Sequence, residues 1–266
     1  MLPNKNHFAN VALLITVYNR TSSLERLLNG FASLDVSFGE VVVSDDASPE
    51  PHLTKLKKLE KKYRFKLVSA QKNSGLGNNI NKGQRVVSKP FTLYVQEDFV
   101  PRPAFVESFR NACDILISDQ HVDTIRFYGY FPYPFKKPYG KGFDEMIFEP
   151  SLFKWSHLKF YVYSDHPHLR RSDFLEKFGS YVEGTGPGYS DYTEFQMCLA
   201  FIKNKGKGLI TTTITDVFDQ KNSSDEPSTM NRESWKESPN VVVRLMRQVY
   251  LVYRYLKNNV QLYFLK

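Results

Sequence analysis

The sequence predicts an α/β protein with a mostly parallel central sheet flanked by helices and with a C-terminal helical extension. Short apolar runs rich in β-branched residues alternate along the chain with segments of helical periodicity. Strands that alternate with helices usually pair in parallel, and such sheets bind ligands at the carboxyl ends of their strands. The 266 residues are 41% apolar and 15% aromatic, so the chain can bury one large core.

The first half of the chain contains four predicted strands, each followed by a helix. The strands are rich in β-branched and aromatic residues and span residues 11–18, 40–44, 65–70 and 91–95. The predicted helices span residues 24–31, 52–63, 78–87 and 103–118. The helix at 52–63 is rich in lysine, as expected of a surface helix, and the others have amphipathic periodicity. The connecting loops therefore begin at one edge of the predicted sheet.

The second half carries weaker patterns. Strands are predicted at residues 124–128, 157–162 and 209–217, and helices at 173–178, 191–203 and 241–265. Glycines predict a loop at residues 183–188, and a stretch rich in proline and aromatic residues predicts irregular structure at 129–143. Residues 219–238 are polar and are predicted to be mobile.

Composition excludes several classes of protein. Residues 1–10 are polar and no run of about twenty apolar residues occurs, so neither a signal peptide nor a transmembrane span is predicted, and we expect a cytoplasmic protein. Cys113 and Cys198 lack CxxC spacing, which argues against a disulfide framework or a structural zinc site. The net charge of +8 indicates an anionic partner, which nucleic acid, a membrane surface or a phosphorylated substrate would each satisfy.

Acidic side chains follow the ends of predicted strands. Asp45 and Asp46 follow the second strand, and Glu97 and Asp98 follow the fourth. Asp191 begins a later helix after the glycine loop. We expect all five at one edge of the sheet. There, one carboxylate can hold a divalent metal on a diphosphate, and another can remove a proton from a hydroxyl.

Structural roles compete with these interpretations. Asp45 and Asp46 are also the residue type of an Asx-turn or a helix cap, and Asp191 is also the type of acid that stabilises a helix N-terminus. Four basic or imidazole side chains form a further group that can meet a metal, an acceptor or a phosphate, or can simply be structural: His166, His168, Arg170 and Arg171.

Four short motifs together resemble family 2 glycosyltransferases of the GT-A fold, of the bacterial surface-polysaccharide type. They are TVYNR at 16–20, VSDDAS at 43–48, NSGLG at 73–77 with NKG at 81–83, and QED at 96–98. The resemblance covers about the first 110 residues well and residues 191–199 more loosely. It implies a GT-A domain at 1–218, with a nucleotide-binding half at 1–110 and an acceptor-binding half at 111–218. Residues 219–266 are then a mobile segment and a basic amphipathic helix.

The resemblance implies a role for each motif. Thr16 and Tyr18 line the base pocket, while Asp45 or Asp46 hydrogen-bonds the uracil or other base. The remaining nucleotide-binding candidates are Asn73 and Gly75 against the nucleoside, together with Glu97. Asp98 is the implied ligand of a divalent metal, Mn²⁺ or Mg²⁺.

This chain departs from the family in its metal motif. The family usually has Asp-x-Asp where this chain has Gln96-Glu97-Asp98, so a single carboxylate is left to hold a metal that takes its other ligands from diphosphate and water. The family also places a late histidine in the region of residues 219–222, where this chain has none. That segment is interpreted either as a lid over the donor or as disorder.

The resemblance implies that Asp191 is the catalytic base, with Glu194 as the second candidate. Attack by the deprotonated hydroxyl at the anomeric carbon would invert its configuration and form a β-linkage from an α-linked donor. Residues 241–265 alternate apolar and basic side chains, so this helix either lies on an anionic membrane surface or packs on the domain or in a homodimer.

The sequence therefore predicts an inverting transferase that uses a nucleotide-sugar, a UDP-sugar above others, and a saccharide or lipid-linked acceptor. Resemblance places it in capsule, exopolysaccharide or lipopolysaccharide synthesis, in the cytoplasm or at the inner face of the cell membrane. The alternatives are an inactive nucleotide-sugar-binding protein and a nucleic-acid-binding module. Nucleic acid is not expected, because the basic residues are spread out and no aromatic RNA-binding motif occurs.

Overall fold

The computed structural model describes residues 6–222, 226 and 240–264. The strands are β1 (Asn6–Val17), β2 (Val36–Asp45), β3 (Lys66–Ser69), β4 (Phe91–Gln96), β5 (Phe99–Pro101), β6 (Thr124–Arg126), β7 (Lys136–Gly140), β8 (Phe143–Met146), β9 (His168–Arg171), β10 (Gly208–Thr211) and β11 (Phe218–Gln220). The α-helices are α1 (Thr21–Ser33), α2 (His52–Tyr63), α3 (Gly75–Gln84), α4 (Phe105–Ser118), α5 (Phe174–Phe178), α6 (Tyr189–Lys203) and α7 (Val241–Phe264).

The central sheet has nine strands in the order β3-β2-β1-β4-β9-β6-β10-β8-β7. Strand β1 pairs in parallel with β2 and β4, while β8 and β9 run opposite to the other strands of this sheet. A second sheet pairs β5 with β11. The predicted α/β architecture with a mostly parallel sheet and a C-terminal helix is confirmed.

Strand β1 is the centre of the core because both of its faces are covered. Ile15 lies between Val43 of β2 and Val95 of β4, and all three side chains are fully buried. Helix α1 turns its residues at helical spacing, including Leu24 and Leu28, into the same cluster. A strand buried on both faces reads as a continuous apolar run, which is why this strand could be recognised in the sequence.

The register of the sheet sets the position of the polar residues. Thr16 pairs with Ser44 on β2 and with Gln96 on β4, so these three strands end side by side. The acidic pairs at the ends of β2 and β4 therefore lie at one edge of the sheet, as predicted.

Several predictions for the second half are wrong in detail. Residues 157–162 do not form a strand: His157–Phe160 is a 3-10 helix, whose first turn is capped by the Ser156 hydroxyl accepting from the Leu158 N–H at 3.2 Å. Part of the stretch predicted to be irregular, 129–143, belongs to the β7–β8 hairpin. The turn of this hairpin uses Gly140 and Gly142 at positive φ.

Two further boundaries differ from the prediction. Strand β10 ends at Thr211, so residues 212–217 are outside it. The start of the segment predicted to be mobile is ordered in β11, which pairs with β5. The rest of that prediction, at 223–225 and 227–238, lies outside the described residues.

Helix α7 is held by its C-terminal half. Tyr255 is buried against Phe160 of the 3-10 helix and against Phe195 and Leu199 of α6. Within the described residues, no helix is long and apolar enough to cross a membrane. The domain boundary at residue 218 stays a prediction.

Candidate active site

A cavity of about 750 Å³ opens at the carboxyl edge of the parallel strands. Its walls come from the ends of β1 and β4, the loops before α3 and α6, and the segment before β9. Nine of the ten predicted site residues line it, namely Thr16, Tyr18, Asp46, Asn73, Gly75, Glu97, Asp98, Asp191 and Glu194. The structure thus brings together residues that lie far apart in the sequence, although the role of each stays a prediction.

Asp45 is the predicted residue that does not line the cavity. Its carboxylate is fully buried and accepts hydrogen bonds from Ser48, from the hydroxyl at 2.5 Å and from the backbone N–H at 3.2 Å. This is the local turn contact that competed with a base-binding role for Asp45. The physical reason is that Asp45 is still a strand residue, so its side chain points into the protein.

Asp46 faces the cavity and organises it. Its two carboxylate oxygens each accept one backbone N–H, from Ser74 and from Gly75, both at 2.9 Å. Burial raises the pKa of Asp46, although these two hydrogen bonds oppose the shift. The carboxylate therefore fixes the loop before α3 against the end of β2 and still has lone pairs for a ligand.

Gly75 is required where two loops meet. It has a φ of +86°, and a Cβ built on it would lie 1.9 Å from the carbonyl oxygen of Gly184. The loop before α3 is thus in direct contact with the glycine loop before α6. Asn81 and Asn78 add side-chain hydrogen bonds to Glu183 on the same loop, at 2.9 and 2.7 Å.

Arg20 is buried opposite the two acids that follow β4. Its Nη1 lies 3.0 Å from Glu97 Oε1 and 3.4 Å from Asp98 Oδ2. Its Nη2 donates to Asn222 Oδ1 at 2.5 Å and to the carbonyl oxygen of Glu226 at 3.2 Å. Two adjacent buried acids need a compensating charge, and this arginine supplies it.

Arg20 stands in the TVYNR motif but was not a predicted site residue, because no local pattern indicates its contact with Glu97, 77 residues away. Burial and the charge of Asp98 raise the pKa of Glu97 to about 7, while Arg20 opposes the shift. Glu97 lines the cavity and forms an ion pair with Arg20. A nucleotide that contacts Glu97, as predicted, would therefore bind next to this ion pair.

Two residues that follow β10 in the sequence, Gln220 and Glu226, contact the ion pair of Arg20 with Glu97 and Asp98. Gln220 donates from Nε2 to Asp98 Oδ2 at 3.0 Å. Glu226 accepts from the backbone N–H groups of Ser22 and Ser23, both at 2.8 Å, and so caps helix α1. The residues that stand in place of the family's late histidine thus reach the acid predicted to bind metal.

Asp98 retains one oxygen that can take a cation. Within the described residues its Oδ1 is buried and has no hydrogen-bond partner, while Oδ2 is engaged by Arg20 and Gln220. No group of three or more Asp, Glu, His or Cys side chains suited to a metal occurs among residues 6–222, 226 and 240–264. The residues fit a divalent ion that has one protein carboxylate and takes its other ligands from a diphosphate and water.

A second carboxylate pair lies on the other side of the cavity. Glu194 Oε1 accepts from the Ser164 hydroxyl at 2.6 Å and from the Asp165 N–H at 3.3 Å. The Asp165 carboxyl hydrogen-bonds the Glu194 carboxyl and accepts from Gln96 Nε2 at 3.0 Å. Burial, followed by the charge and hydrogen bond of Glu194, raises the pKa of Asp165 well above its ordinary range.

Asp165 also explains the departure at Gln96. The side chain of Gln96 has an amide donor aimed at Asp165, where an aspartate at position 96 would place a second acceptor. No sequence signal marked Asp165, because the contact spans 69 residues and joins β4 to an irregular segment.

Asp191 differs from the buried Asp98 and Asp165 because its side chain is exposed. It lies in the first turn of α6, which begins after Gly188 at a φ of +72°. An acid here is favoured by the helix dipole, and the residue also faces the cavity, so its position is compatible with both interpretations and its role as base stays a prediction.

The remaining candidates divide between cavity and core. His166 lines the cavity, with its ring 4.7 Å from that of Tyr130. His168 is fully buried, and its Nδ1 lies 2.7 Å from the His166 carbonyl oxygen. Burial lowers the pKa of His168 well below its ordinary value, so it is a neutral core residue.

Both arginines are used structurally. Arg170 is fully buried and donates to Tyr181 Oη and Gln84 Oε1, at 2.7 and 2.8 Å. Arg171 donates to the carbonyl oxygens of Leu116 and Val122, at 2.7 and 3.1 Å. The structure does not favour a phosphate contact for either arginine, because neither lines the cavity and both guanidinium groups donate hydrogen bonds inside the protein.

Comparison with known proteins finds similarity to glycosyltransferases. A model of the family described as glycosyl transferase family 2 matches residues 12–179. A dolichol-phosphate mannosyltransferase of Pyrococcus furiosus is 28% identical over 120 residues, which are 42% of this chain and 33% of that protein. A cholesterol galactosyltransferase of Borreliella burgdorferi is 25% identical over 125 residues, 47% and 34% of the two chains. The match thus spans about a third of these relatives.

Solved structures extend the likeness to most of the chain. S. aureus TarS 1-349 in complex with UDP-GlcNAc has a TM-score of 0.56 at 19% identity, covering 85% of this chain and 62% of TarS. The mannosyltransferase PcManGT from Pyrobaculum calidifontis, in complex with GDP-Man and Mn²⁺, has a TM-score of 0.53 at 17% identity. It covers 82% of this chain and 58% of its own. At these identities the likeness concerns the fold.

Proposed function

The chain belongs to glycosyl transferase family 2 and has the GT-A fold, and on that basis we propose that it is an inverting glycosyltransferase. Its donor is a nucleotide-sugar, with a UDP-sugar as the first choice, and its acceptor is a saccharide or a lipid-linked saccharide. The proposed setting is surface-polysaccharide synthesis in the cytoplasm, at the inner face of the cell membrane.

One observation carries the proposal: the two kinds of carboxylate that the reaction needs face the same cavity. Asp98 lies on the side formed by the parallel strands, and Asp191 and Glu194 lie on the side formed by α6. A nucleotide bound at Thr16 and Asp46 would extend its diphosphate toward Asp98, leaving the sugar between the two sides.

In the proposed reaction an acceptor hydroxyl attacks the anomeric carbon of the donor. The bond from that carbon to the diphosphate oxygen breaks, and its electron pair leaves with the nucleoside diphosphate. Asp191 receives the proton of the hydroxyl, because it is accessible to solvent and faces the cavity. Attack opposite the leaving group inverts the configuration at the anomeric carbon.

A divalent metal would be held by Asp98 Oδ1, and it would neutralise charge on the leaving diphosphate. Arg20 engages Glu97 and Asp98 Oδ2, so among the described residues Oδ1 is the Asp98 oxygen left without a hydrogen-bond partner. Gln220 fixes the orientation of the same carboxylate. The complex of PcManGT with Mn²⁺ is consistent with such a metal in a protein of this fold.

Calorimetric titration of UDP and of GDP, with and without manganese, tests the donor site without knowledge of the acceptor. We expect one nucleotide to bind more tightly with manganese and Asp98→Ala to abolish the manganese effect. The matched control is Asp114→Ala, which removes an exposed acid of α4 that pairs with Lys141 at 3.6 Å. Absence of binding by both nucleotides in wild type would overturn the proposal.

A second candidate, a nucleotide-sugar-binding protein without turnover, is favoured by one specific feature. Gln96 stands at the position where the family usually has the first aspartate of its metal motif. Arg20 neutralises part of the negative charge of Glu97 and Asp98. This candidate predicts nucleotide binding with no release of nucleoside diphosphate from any donor. Turnover of a nucleotide-sugar, even by slow hydrolysis, would exclude it.

A further inference from the structure

A short loop beside helix α7 exposes large apolar side chains. Leu152, Phe153 and Trp155 are 56%, 99% and 48% exposed, and Lys154 lies between them. A fully exposed phenylalanine next to an exposed tryptophan forms an apolar patch rather than a scattered surface residue. Such a patch on a protein surface marks a contact with a partner or a membrane.

Helix α7 continues this exposed surface. Its N-terminal half projects apolar side chains into solvent, with Leu245, Met246 and Val249 each more than 60% exposed. Arg244 and Lys257 are exposed on the same helix, and the sequence of α7 contains no aspartate or glutamate. Apolar and cationic side chains without acids are the composition of a helix that lies at an anionic lipid interface.

Tyr255 joins the loop and the helix into one unit. Its hydroxyl donates to the carbonyl oxygen of Leu152 at 3.0 Å, and its ring centroid lies 4.3 Å from that of Trp155. The buried Lys159 donates to the same hydroxyl at 3.1 Å. Residues 152–155 and the exposed side of α7 are therefore held together, and we name them the helix–loop surface.

The helix–loop surface is next to the acceptor side of the cavity. Helix α7 packs on Phe195, which directly follows Glu194 at the cavity wall. Arg254 of α7 also donates to the Tyr161 hydroxyl, and the Tyr161 ring lies 5.8 Å from Phe195. A membrane under this surface would lie on the flank of the same helix that carries the proposed base.

We propose that the helix–loop surface lies on an anionic lipid bilayer. Phe153 and Trp155 enter the headgroup region together with the apolar side of α7, while Arg244 and Lys257 contact lipid phosphates. Lipid is favoured over an acidic protein because the cations are interspersed with apolar side chains along a helix. That this contact serves a lipid-linked acceptor rests on the proposed function, whereas lipid binding itself does not.

Cosedimentation of the full chain with vesicles tests the surface without any nucleotide-sugar. We expect binding to vesicles of phosphatidylcholine with phosphatidylglycerol, and much weaker binding to phosphatidylcholine alone. Phe153→Asp should weaken binding about tenfold or more, because it removes the aromatic side chain that would be inserted into the headgroup region. Arg244→Glu with Lys257→Glu should weaken it by about fivefold or more per site, and raised salt should do the same.

Ile117→Asp is the matched control, because Ile117 is 62% exposed on α4, away from the helix–loop surface. It should bind vesicles as wild type does, and every variant should keep its circular-dichroism melting curve and its affinity for the nucleotide. Failure of wild type to bind anionic vesicles would overturn the proposal. So would equal weakening by Ile117→Asp, or a dimer in light scattering that Phe153→Asp dissociates in the absence of vesicle binding.

Because nucleotide titration and vesicle binding are separate measurements, the two proposals can fail separately. Nucleotide binding without vesicle binding would refute the lipid contact and leave the transferase proposal standing. Vesicle binding without nucleotide binding would do the reverse.

Discussion

Two pairs of carboxylates face the same cavity, but their charge is compensated in different ways. Glu97 and Asp98 are adjacent in sequence and lie against the guanidinium of Arg20. Asp165 and Glu194 come from different elements and hydrogen-bond each other. Burial, followed by the charge and hydrogen bond of Glu194, raises the pKa of Asp165 and favours its protonated form, whereas the first pair lies against a cation.

This difference in charge compensation separates two proposed tasks, which are metal binding at the first pair and proton transfer beside the second. Arg20 lies against Asp98 Oδ2, and among the described residues Asp98 Oδ1 has no hydrogen-bond partner, so that oxygen can take a metal. The raised pKa of Asp165 favours its protonated form, so the exposed Asp191 is the more available proton acceptor nearby. Gln96 connects the two pairs, because it precedes Glu97 and donates to Asp165.

The largest expected effect separates Asp191 from Glu194. Asp191→Asn should lower kcat by about 100- to 10,000-fold, the range for loss of a general base, with little change in KM for the donor. Glu194→Gln should lower it far less, because Glu194 Oε1 already accepts from the Ser164 hydroxyl and the Asp165 N–H. Steady-state turnover of the nucleotide-sugar measures both, and a greater loss in Glu194→Gln would make Glu194 the base.

The second effect tests the cation. Arg20→Leu should reduce the free energy of unfolding by about 3–5 kcal/mol, because it leaves two buried acids without their partner. Urea denaturation measures this change. The control is Lys62→Ala, which breaks an exposed ion pair with Glu25 at 2.8 Å and should cost at most about 1 kcal/mol. Similar losses in both variants would show that Arg20 does not compensate the pair.

The third effect tests the connection between the pairs. Gln96→Asp restores the usual family residue but replaces a donor to Asp165 with another acceptor. We expect a loss of about 1–3 kcal/mol in the free energy of unfolding, because Asp165 keeps its burial and loses its amide partner. Gln96→Asp in an Asp165→Asn background should be tolerated better. Equal losses of unfolding free energy in the two backgrounds would show that the effect of Gln96→Asp does not depend on Asp165.

The smallest effect concerns pH. The raised pKa of Asp165 means that the folded protein holds a proton which the unfolded chain, with a pKa of about 3.9, releases. The stability from this group is complete below pH 3.9 and is lost as pH rises through the folded pKa. Asp165→Asn keeps the neutral hydrogen bonds, so its stability should fall less steeply above about pH 4, by up to about 1.4 kcal/mol per pH unit.

The control for the pH experiment has the opposite sign. Hydrogen bonds from Lys207 and then Tyr139 lower the pKa of Asp119 to about 2. Its stability is present above the unfolded pKa and is lost as pH falls toward 2, so Asp119→Asn should change the slope only on the acid side. Denaturation curves across the pH range distinguish the two, and a wild-type slope in Asp165→Asn would show that Asp165 is ionised.

Local sequence patterns were enough to predict the elements of the first half and most of the residues of the cavity wall. Strand β1 could be recognised because it is buried on both faces, and a polar residue directly after such a strand must lie at the sheet edge. That local rule is enough to bring Asp46 and Asp98 to one cavity. The same rule could not distinguish Asp45 from Asp46, because the direction of a side chain at a strand end depends on where the strand stops.

The groups that compensate the acids could be identified only from the folded protein. Arg20 meets Glu97 across 77 residues, Gln96 meets Asp165 across 69, and Ser23 meets Glu226 across 203. Sequence periodicity reports which face of an element is buried, but a contact between polar side chains depends on the packing of whole elements. For this reason the fold and the cavity could be predicted from local patterns, whereas the balance of charge within the cavity could not.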